Sequence, residues 1–432
     1  MPIGLNQCNN YICLIQRKEE IGKNNILYHL DNGLRVIYSR MKNTSLVHCG
    51  YIIGTGSRDE DQKNNGIAHF IEHTVFKGTS NRKSYQILNR IESVGGELNA
   101  YTSREKTCFY SMASKKYFDR SVELLTDVVF NPIFPAHEIE KEKSVIVEEI
   151  EMYEDSPDES IYDDFFSSLF PGHPLGYSIL GKKKSVKSIN NKVISNFRND
   201  FYQPANMVLS IAGNIPVDKL ERAITKYTSN IPLSGIHKNG RKIPEVAAAF
   251  NKKLKKDFQQ VHCILGCPAY SMRDDKKYVL VLINDILGGD WMSSRLNMVI
   301  REKYAYAYNV SSSYSAYSDS GVYSIQLGTD EKYIDKCIEL IQKEIKSFRD
   351  NKISKIQLNR AKRQLFGMYE MMAENNSGIM QIKGKNVLDF GYPLSKELFY
   401  TNINKIDANQ IIEVANEVLA ENKLSILIYQ KK

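Results

Sequence analysis

Hydrophobic and polar positions along this chain of 432 residues predict strands followed by helices. β-branched and aromatic residues mark two early strands, GLRVIYSR (33–40) and VHCGYIIG (47–54). The next elements have apolar residues at helical or alternating spacing: helices over 84–94, 117–130 and 136–153, and strands over 97–103 and 106–113. The first half of the chain therefore mixes both kinds of element.

The pattern returns in the second half of the chain. LVHCGYIIGTGSRDEDQ (46–62) has an echo in QVHCILGCPAYSMRDDK (260–276), and KKYFDRSVELL (115–125) resembles EKYIDKCIELI (331–341). The two echoes are offset by 214 and 216 residues. Two independent echoes at nearly one offset indicate a single structural unit used twice.

The order of elements predicts an α+β fold. Strands joined by short turns, with helices grouped beside them, are typical of a mainly antiparallel sheet flanked by helices. We expect two homologous domains, over 1–229 and 247–432. The segment 230–246 is polar, contains two prolines and two glycines, and is the expected linker.

Composition and charge narrow the class of protein. The net charge of +8 comes from lysine-rich patches spread along the chain, without a basic helix, so we expect no nucleic-acid partner. No apolar run approaches the ~18 residues that span a bilayer, and the N-terminal 20 residues lack the pattern of a secretory signal. The seven cysteines are scattered without a CxxC pair. These features predict a cytoplasmic protein with free thiols and no membrane partner.

The candidate chemistry begins in GIAHFIEHTVFKGT, residues 66–79. On a helix, His69 and His73 are separated by one turn, so both imidazoles lie on one face and could provide two ligands of a tetrahedral zinc site. Glu72 lies beside them, where a general base for the attacking water must sit. This is the H-x-x-E-H order.

A catalytic zinc needs a third protein ligand, and the predicted helix 136–153 is dense in carboxylates. Glu142 and Glu149 are seven residues apart and therefore share one stripe of that helix. A solvated acidic face is the alternative explanation. The buried side of the helix is predicted from Val145, Ile146 and Ile150.

Several motifs together make the chain similar to a known family. They are HFIEH (69–73), FKGT (76–79), a glutamate 76 residues after the second histidine, GGELNAYTSRE (95–105), EKEKSVIVEEIEMYEDSP (140–157), HPLGYSILG (173–181), YQPANMVLSIAGN (202–214) and ILGGDWMSSRLNMVIREKYAYAYNV (286–310). They resemble the pitrilysin family of inverzincin peptidases, to which insulin-degrading enzyme and the mitochondrial processing peptidase belong. The resemblance covers nearly the whole chain.

The resemblance implies roles for the residues of the first half. His69, His73 and Glu149 would be the zinc ligands, with one Zn²⁺ per chain. Glu72 would be the general base, and Glu142 a carboxylate that helps to hold the site. Cobalt or manganese could fit the same ligands.

Substrate contacts are also implied by the resemblance. Asn99 and Ala100 would lie on an edge strand that pairs with the substrate backbone, and Arg301 and Tyr308 would orient the substrate and stabilise its oxyanion.

The chain departs from the family pattern close to these last two residues. Where relatives often carry Arg-Gly-Leu, it has Tyr304-Ala305-Tyr306, so Tyr306 is an alternative to Tyr308.

The second repeat provides an internal comparison. At an offset of 214, the residues His69, Glu72 and His73 correspond to Ile283, Ile286 and Leu287. The fold therefore does not require histidines on this helix, which favours a chemical role for them in the first repeat.

These features together predict a zinc-dependent endopeptidase acting on peptides or unfolded segments. Longer family members enclose a chamber with four such units, so a chain with two units is expected to form a homodimer that closes like a clamshell. One alternative is a presequence-processing subunit that works with a non-catalytic partner. Another is a catalytically silent scaffold subunit.

Overall fold

The computed structural model describes residues 14–235 and 240–432. The strands of the first half are β1 (Ile15–Ile21), β2 (Asn25–Leu30), β3 (Arg35–Arg40), β4 (Leu46–Ile53), β5 (Glu97–Thr102), β6 (Thr107–Ser114) and β7 (Met207–Gly213). Its helices are α1 (Ile67–Thr74), α2 (Ser84–Glu92), α3 (Phe118–Phe130), α4 (Ala136–Glu154), α5 (Pro157–Leu169), α6 (Lys183–Ser188), α7 (Asn191–Phe201) and α8 (Val217–Thr228).

The second half continues the same numbering. Its strands are β8 (Asn251–Lys256), β9 (Val261–Ala269), β10 (Ala307–Ala316), β11 (Gly321–Thr329) and β12 (Ser425–Lys431). Its helices are α9 (Lys277–Gly288), α10 (Ile334–Asp350), α11 (Lys355–Ala373), α12 (Asn376–Phe390), α13 (Lys396–Lys405) and α14 (Ala408–Val418).

The chain forms two compact units, and among the described residues the first contains 14–146, 179–235, 240 and 373–393. Within the described residues its sheet has the strand order β1-β2-β3-β7-β4-β6-β5, in which β3 and β7 are parallel and the other neighbours antiparallel. The central strand β7 is buried along its whole length. The strand β5, in contrast, lies at the edge of the sheet.

Helix α12 reaches the first unit from late in the sequence and packs on β3, β4 and β7. The approach is close, because a Cβ atom at Gly384 would lie 2.4 Å from the Cδ1 atom of Ile52. The Ser210 hydroxyl donates a hydrogen bond to the Met380 carbonyl, which fastens the helix to β7. A glycine in this helix therefore lets its backbone lie directly on the sheet.

The second unit contains residues 147–178, 241–372 and 394–432. Its sheet, within the described residues, has the order β10-β11-β9-β12-β8, and only β8 and β12 are parallel. Helix α5 packs on β9 and β12 through an apolar cluster that includes Phe165, Ile264 and Leu427. Helices α9, α10, α11 and α14 contribute to the larger core of this unit.

The predicted duplication and the α+β fold class are confirmed. The order β5-β6-β4-β7-β3 in the first sheet matches β10-β11-β9-β12-β8 in the second, strand for strand. The single parallel pair also falls at the same place in both series. Two sheets with the same strand order are expected of one structural unit used twice.

The compact units do not follow the sequence order, because α12 belongs to the first unit and α5 to the second. The domain limits 1–229 and 247–432 stay a prediction about the repeat. The expected linker 230–246 includes residues 236–239, which lie outside the described residues. Its described parts, from 231 onward, form neither helix nor strand.

Two further predictions can be compared with the structure. The prediction that Val145 is buried is wrong, because this residue is 47% exposed. Ile146 and Ile150 are buried as predicted. The cysteines described are free and buried: Cys49, Cys108, Cys263, Cys267 and Cys337. Cys8 and Cys13 lie outside the described residues.

None of the helices in residues 14–235 and 240–432 combines the length and apolar character needed to cross a membrane.

The backbone between α9 and β10 contains an unusual feature. A short π-helical segment, Asn297–Lys303, is followed by Ala305 with φ of 51°. Among the described residues, Ala305 is the only one other than glycine with a positive φ. A left-handed conformation costs an L-residue about 1–2 kcal/mol, so this alanine occupies a position that suits glycine.

Replacing this alanine tests the strain. We expect Ala305→Gly to stabilise the protein by up to about 1 kcal/mol, because glycine adopts positive φ without the steric cost. The control is Ala316→Gly, at the end of β10, which should destabilise by about 0.5–1 kcal/mol. Urea unfolding measures both, and a destabilised Ala305→Gly protein would contradict the expectation.

Candidate metal centre

Helix α1 carries the first candidate ligands, and its N-terminus is held by a residue outside the helix. Its cap residue, Gly66, has φ of 95° and no side chain to accept hydrogen bonds. The buried carboxylate of Glu60 accepts them instead, from the backbone N–H groups of Gly66 (2.7 Å) and Ala68 (2.9 Å) and from the Asn65 side chain (2.9 Å). Burial raises the pKa of Glu60 to about 8, against the opposing effect of these hydrogen bonds.

Three side chains converge beside α1. A ring nitrogen of His69, a ring nitrogen of His73 and a carboxylate oxygen of Glu149 lie within 4.8 Å of one another. In residues 14–235 and 240–432 this is the single group of three or more histidine, cysteine or acidic side chains so arranged. The two imidazole centroids are 4.5 Å apart, with the rings inclined at 64°.

Glu149 is placed by α4, a continuous helix of 19 residues. Glu142, two turns earlier on the same helix, contacts the ligand helix directly. The helix therefore brings one carboxylate beside His73 as a support and another to the ligand cluster.

The Glu142 carboxylate contacts two residues, His73 on α1 and Lys77 just beyond the end of that helix. Its Oε1 atom lies 2.9 Å from Nδ1 of His73, and its Oε2 atom lies 2.8 Å from Nζ of Lys77. Burial would raise the pKa of Glu142, but the hydrogen bonds from His73 and Lys77 outweigh it and lower that pKa. An ionised carboxylate only accepts hydrogen bonds, so Nδ1 of His73 donates and its Nε2 lone pair is available for a metal.

The donor set fits zinc. Two imidazole nitrogens and one carboxylate oxygen, with a position left for water or substrate, are the ligands of many catalytic zinc sites. The three donor atoms lie within 4.8 Å of one another, so small side-chain movements would let them converge on one ion at the usual bond lengths of about 2.0–2.2 Å. Burial, together with the neighbouring His73, lowers the pKa of His69 to about 3, so this imidazole is neutral and able to bind a metal at neutral pH.

Glu72 shares the helix with the two histidines and is half-buried. It directly precedes His73 and lies three residues after His69, so its carboxylate lies on the same face of α1. Helix α1 also contacts the edge strand β5, which contains the predicted substrate residues Asn99 and Ala100. The Oδ1 atom of Asn99 accepts a hydrogen bond from the Ala100 N–H at 2.8 Å.

Arg301 and Tyr308 belong to the second unit and lie close to each other. The guanidinium carbon of Arg301 is 5.3 Å from the centroid of the Tyr308 ring, a cation–π contact. Tyr308 is 85% exposed, whereas Tyr306 is stacked between Tyr304 and Tyr333, with centroids 5.3 and 4.6 Å apart. The phenol of Tyr308 is therefore available to a ligand, and the ring of Tyr306 is engaged in packing.

The corresponding helix of the second unit, α9, contains no such site. Ile283 and Leu287, at the positions of the histidines, are fully buried in the apolar core, and Ile286 packs against that core. An equivalent helix is thus stable with hydrocarbon side chains at these three positions.

Two supporting residues were not identified from the sequence. One is Glu60. The sequence signal that could have indicated it is Gly66, because a helix capped by glycine needs an acceptor from elsewhere for its first backbone N–H groups. The other is Lys77, whose role depends on a contact with α4 that no local pattern encodes.

Comparison with protein families identifies the family to which the chain belongs. A model described as "Insulinase (Peptidase family M16)" matches residues 35–183, and one described as "Peptidase M16 inactive domain" matches residues 188–365. The first match contains the histidine and glutamate cluster, and the second begins after it. The chain belongs to peptidase family M16, as the resemblance to pitrilysin and insulin-degrading enzyme implied.

Individual relatives extend over almost the entire chain. The uncharacterized zinc protease YmxG of Bacillus subtilis is 33% identical over 406 residues, covering 93% of this chain and 97% of that protein. An uncharacterized zinc protease of Rickettsia felis is 35% identical over 405 residues, covering 92% and 96%. The beta subunit of the Saccharomyces cerevisiae mitochondrial-processing peptidase is 30% identical over 415 residues, covering 92% and 89%. These names support a peptidase and zinc as its cofactor.

Solved structures show the same fold. A peptidase M16 inactive domain from Pseudomonas fluorescens superposes with a TM-score of 0.87 at 20% identity, covering 95% of this chain and 99% of that one. A protease from Helicobacter pylori superposes with a TM-score of 0.85 at 21% identity, covering 96% and 100%. The architecture is therefore shared by chains of similar length.

The buried histidine makes the metal-free protein sensitive to acid. The pKa of His69 is about 6.5 in the unfolded chain and about 3 in the folded protein. Protons therefore bind the unfolded state more tightly, and the free energy of unfolding falls as the pH drops through this window. Between pH 7.5 and 5 we expect the metal-free wild type to lose about 2 kcal/mol more than a His69→Gln variant.

Urea unfolding of the metal-free proteins at both pH values measures this difference. The control is His137→Gln, which changes an exposed histidine on α4 and should follow the wild type. Equal losses in the wild type and the His69→Gln variant would contradict the expectation.

Proposed function

We propose that the protein is a zinc-dependent endopeptidase that hydrolyses peptides or unfolded polypeptide segments. The observation that carries the proposal is the convergence of His69, His73 and Glu149, with Glu72 on the same helix. Membership of family M16 and the zinc proteases among the relatives support the same reaction. The proposed stoichiometry is one Zn²⁺ per chain.

Each residue of the cluster has a distinct task in this proposal. Zinc, when bound, supplies a Lewis acid that polarises the scissile carbonyl and acidifies the attacking water. His69, His73 and Glu149 would hold it. Glu72 accepts a proton from the attacking water and later delivers it to the leaving amine.

The substrate is proposed to bind as an added strand on β5. A peptide bound in this way is held by main-chain hydrogen bonds, so the demand on its side chains is small. Asn99 and Ala100 would provide these contacts, and the existing hydrogen bond between them would give way to the peptide. Such binding requires an extended chain, which favours peptides and unfolded segments over folded proteins.

The oxyanion contacts are proposed to come from Arg301 and Tyr308, in a homodimer that opens and closes like a clamshell. The exposure of Tyr308 and its contact with Arg301 support a shared task for the two residues. We propose that they serve the zinc site of the partner subunit.

Buried free thiols in the described part of the chain support a reducing compartment, and we propose the cytoplasm.

A second candidate is a presequence-processing subunit. The relative named as the beta subunit of a mitochondrial-processing peptidase favours it. Copurification of a second, different subunit would distinguish this function from a homodimeric peptidase. A catalytically silent scaffold is the remaining alternative, and zinc content near zero would favour it.

The role of Glu72 is tested by Glu72→Gln. Removing the proton acceptor while keeping the size of the side chain should lower kcat by about 10²–10⁴-fold and leave zinc content and folding unchanged. Mass spectrometry of peptide cleavage, with and without a chelator, provides the assay. Glu148→Gln makes the same chemical change at an exposed position of α4 and should retain full activity. Substantial turnover by Glu72→Gln would refute the assignment.

Subunit sharing is tested by mixing two inactive variants, Glu72→Gln and Arg301→Ala. A mixed dimer would contain one intact site, so an equal mixture should recover about a quarter of the wild-type activity. Each variant alone provides the control. Demonstrated mixed dimers without recovered activity would show that each subunit serves its own site.

A further inference from the structure

The turn that joins β5 to β6 is fixed by contacts with two different parts of the first unit. The turn itself closes through hydrogen bonds between Ser103 and Lys106: the Ser103 N–H and hydroxyl donate to the Lys106 carbonyl at 2.7 and 2.9 Å. The turn ends the strand that is proposed to bind substrate. Its two central residues and its last residue contact different parts of the first unit.

On one side, the turn lies against the segment Gly56–Glu60. The N–H groups of Ser57 and Arg58 donate to the carbonyls of Ser103 (3.2 Å) and Arg104 (2.7 Å). The two backbones are so close that a Cβ atom on Gly56 would lie 2.1 Å from the Ser103 carbonyl oxygen. This segment and the turn therefore form one tightly packed piece of backbone.

A buried ion pair reinforces this contact. Nη1 of Arg58 lies 2.7 Å from Oε1 of Glu105, and the two side chains are 1% and 4% exposed. Removing one partner of such a pair leaves a buried charge and is strongly destabilising. The segment then continues to Glu60, which caps α1. The zinc-binding helix and the edge strand thus share one anchor.

On its other side, the turn is held by α12. Nζ of Lys106 lies 2.9 Å from Oδ1 of Asp389, and these side chains are 10% and 18% exposed. One turn earlier on α12, Nζ of Lys385 lies 5.0 Å from the centroid of the Tyr101 ring on β5. Arg35 donates to the Val387 carbonyl at 2.8 Å, which fastens the same part of the helix to β3.

We propose that Lys106, Asp389 and Lys385 are positioning residues for substrate binding, because they hold the open edge of β5 at a fixed distance from α1. This inference rests on the proposed function. A peptide that adds to an edge strand needs the main-chain groups in one register. Without the contacts from α12, the strand would have to be ordered at the moment of binding, and this cost weakens affinity.

None of the three residues belongs to the ligand cluster, so their loss should affect KM and not the chemical step. Lys106→Met and Asp389→Asn should each raise KM for a cleaved peptide about tenfold, with kcat and zinc content within about twofold of the wild type. The exchanged pair, Lys106→Asp with Asp389→Lys, should restore most of the wild-type KM.

Amide hydrogen exchange gives a measurement that does not need activity. In Lys106→Met, residues 97–102 should exchange several-fold faster than in the wild type, because the end of β5 loses one of its two anchors. The control is Lys18→Met, which breaks an ion pair of the same 2.9 Å length with Glu221 at the opposite edge of the sheet. This control should change neither KM nor the exchange of β5.

Unchanged KM in both single variants, unchanged exchange of β5, or no restoration by the exchanged pair would each overturn the inference. If the wild type cleaves no peptide, the proposed function has failed, and the exchange experiment still decides whether α12 holds the strand. If Lys106→Met does not fold, Asp389→Asn removes the charge at almost constant size and provides the same test.

Discussion

The interaction on which the candidate site depends most is the hydrogen bond from Nδ1 of His73 to the Glu142 carboxylate. It joins the ligand helix α1 to α4 and leaves Nε2 of the imidazole available for a metal. Because α4 is continuous, fixing Glu142 also determines where Glu149 lies, about 10.5 Å further along the helix axis. One carboxylate therefore sets both the tautomer of one candidate ligand and the position of another.

The same helix α1 is constrained at its other end by a carboxylate, that of Glu60. A short helix of eight residues has little stability alone, so groups outside it decide its position. The segment that contains Glu60 also holds the turn at the end of β5. The candidate metal ligands and the proposed substrate strand are thus connected through five residues, Gly56 to Glu60.

The duplication shows what the fold needs and what the chemistry needs. Both sheets have the same strand order, yet the second unit places Ile283 and Leu287 in its core where the first has histidines. Burying hydrocarbon stabilises the second unit at this position. In the first unit the same positions hold polar side chains, and one of them, His73, is hydrogen-bonded to Glu142, which also pairs with Lys77.

Local sequence determined the elements, the duplication and the two histidines on one helix face, because helix and strand periods are properties of neighbouring residues. The resemblance of motifs supplied Glu149 as a third ligand. Only the tertiary structure decided that Val145 is exposed, that Glu60 and Lys77 support the site, and that α12 packs on the first sheet. These depend on contacts between residues up to about 350 positions apart, and periodicity along a chain has no information about them.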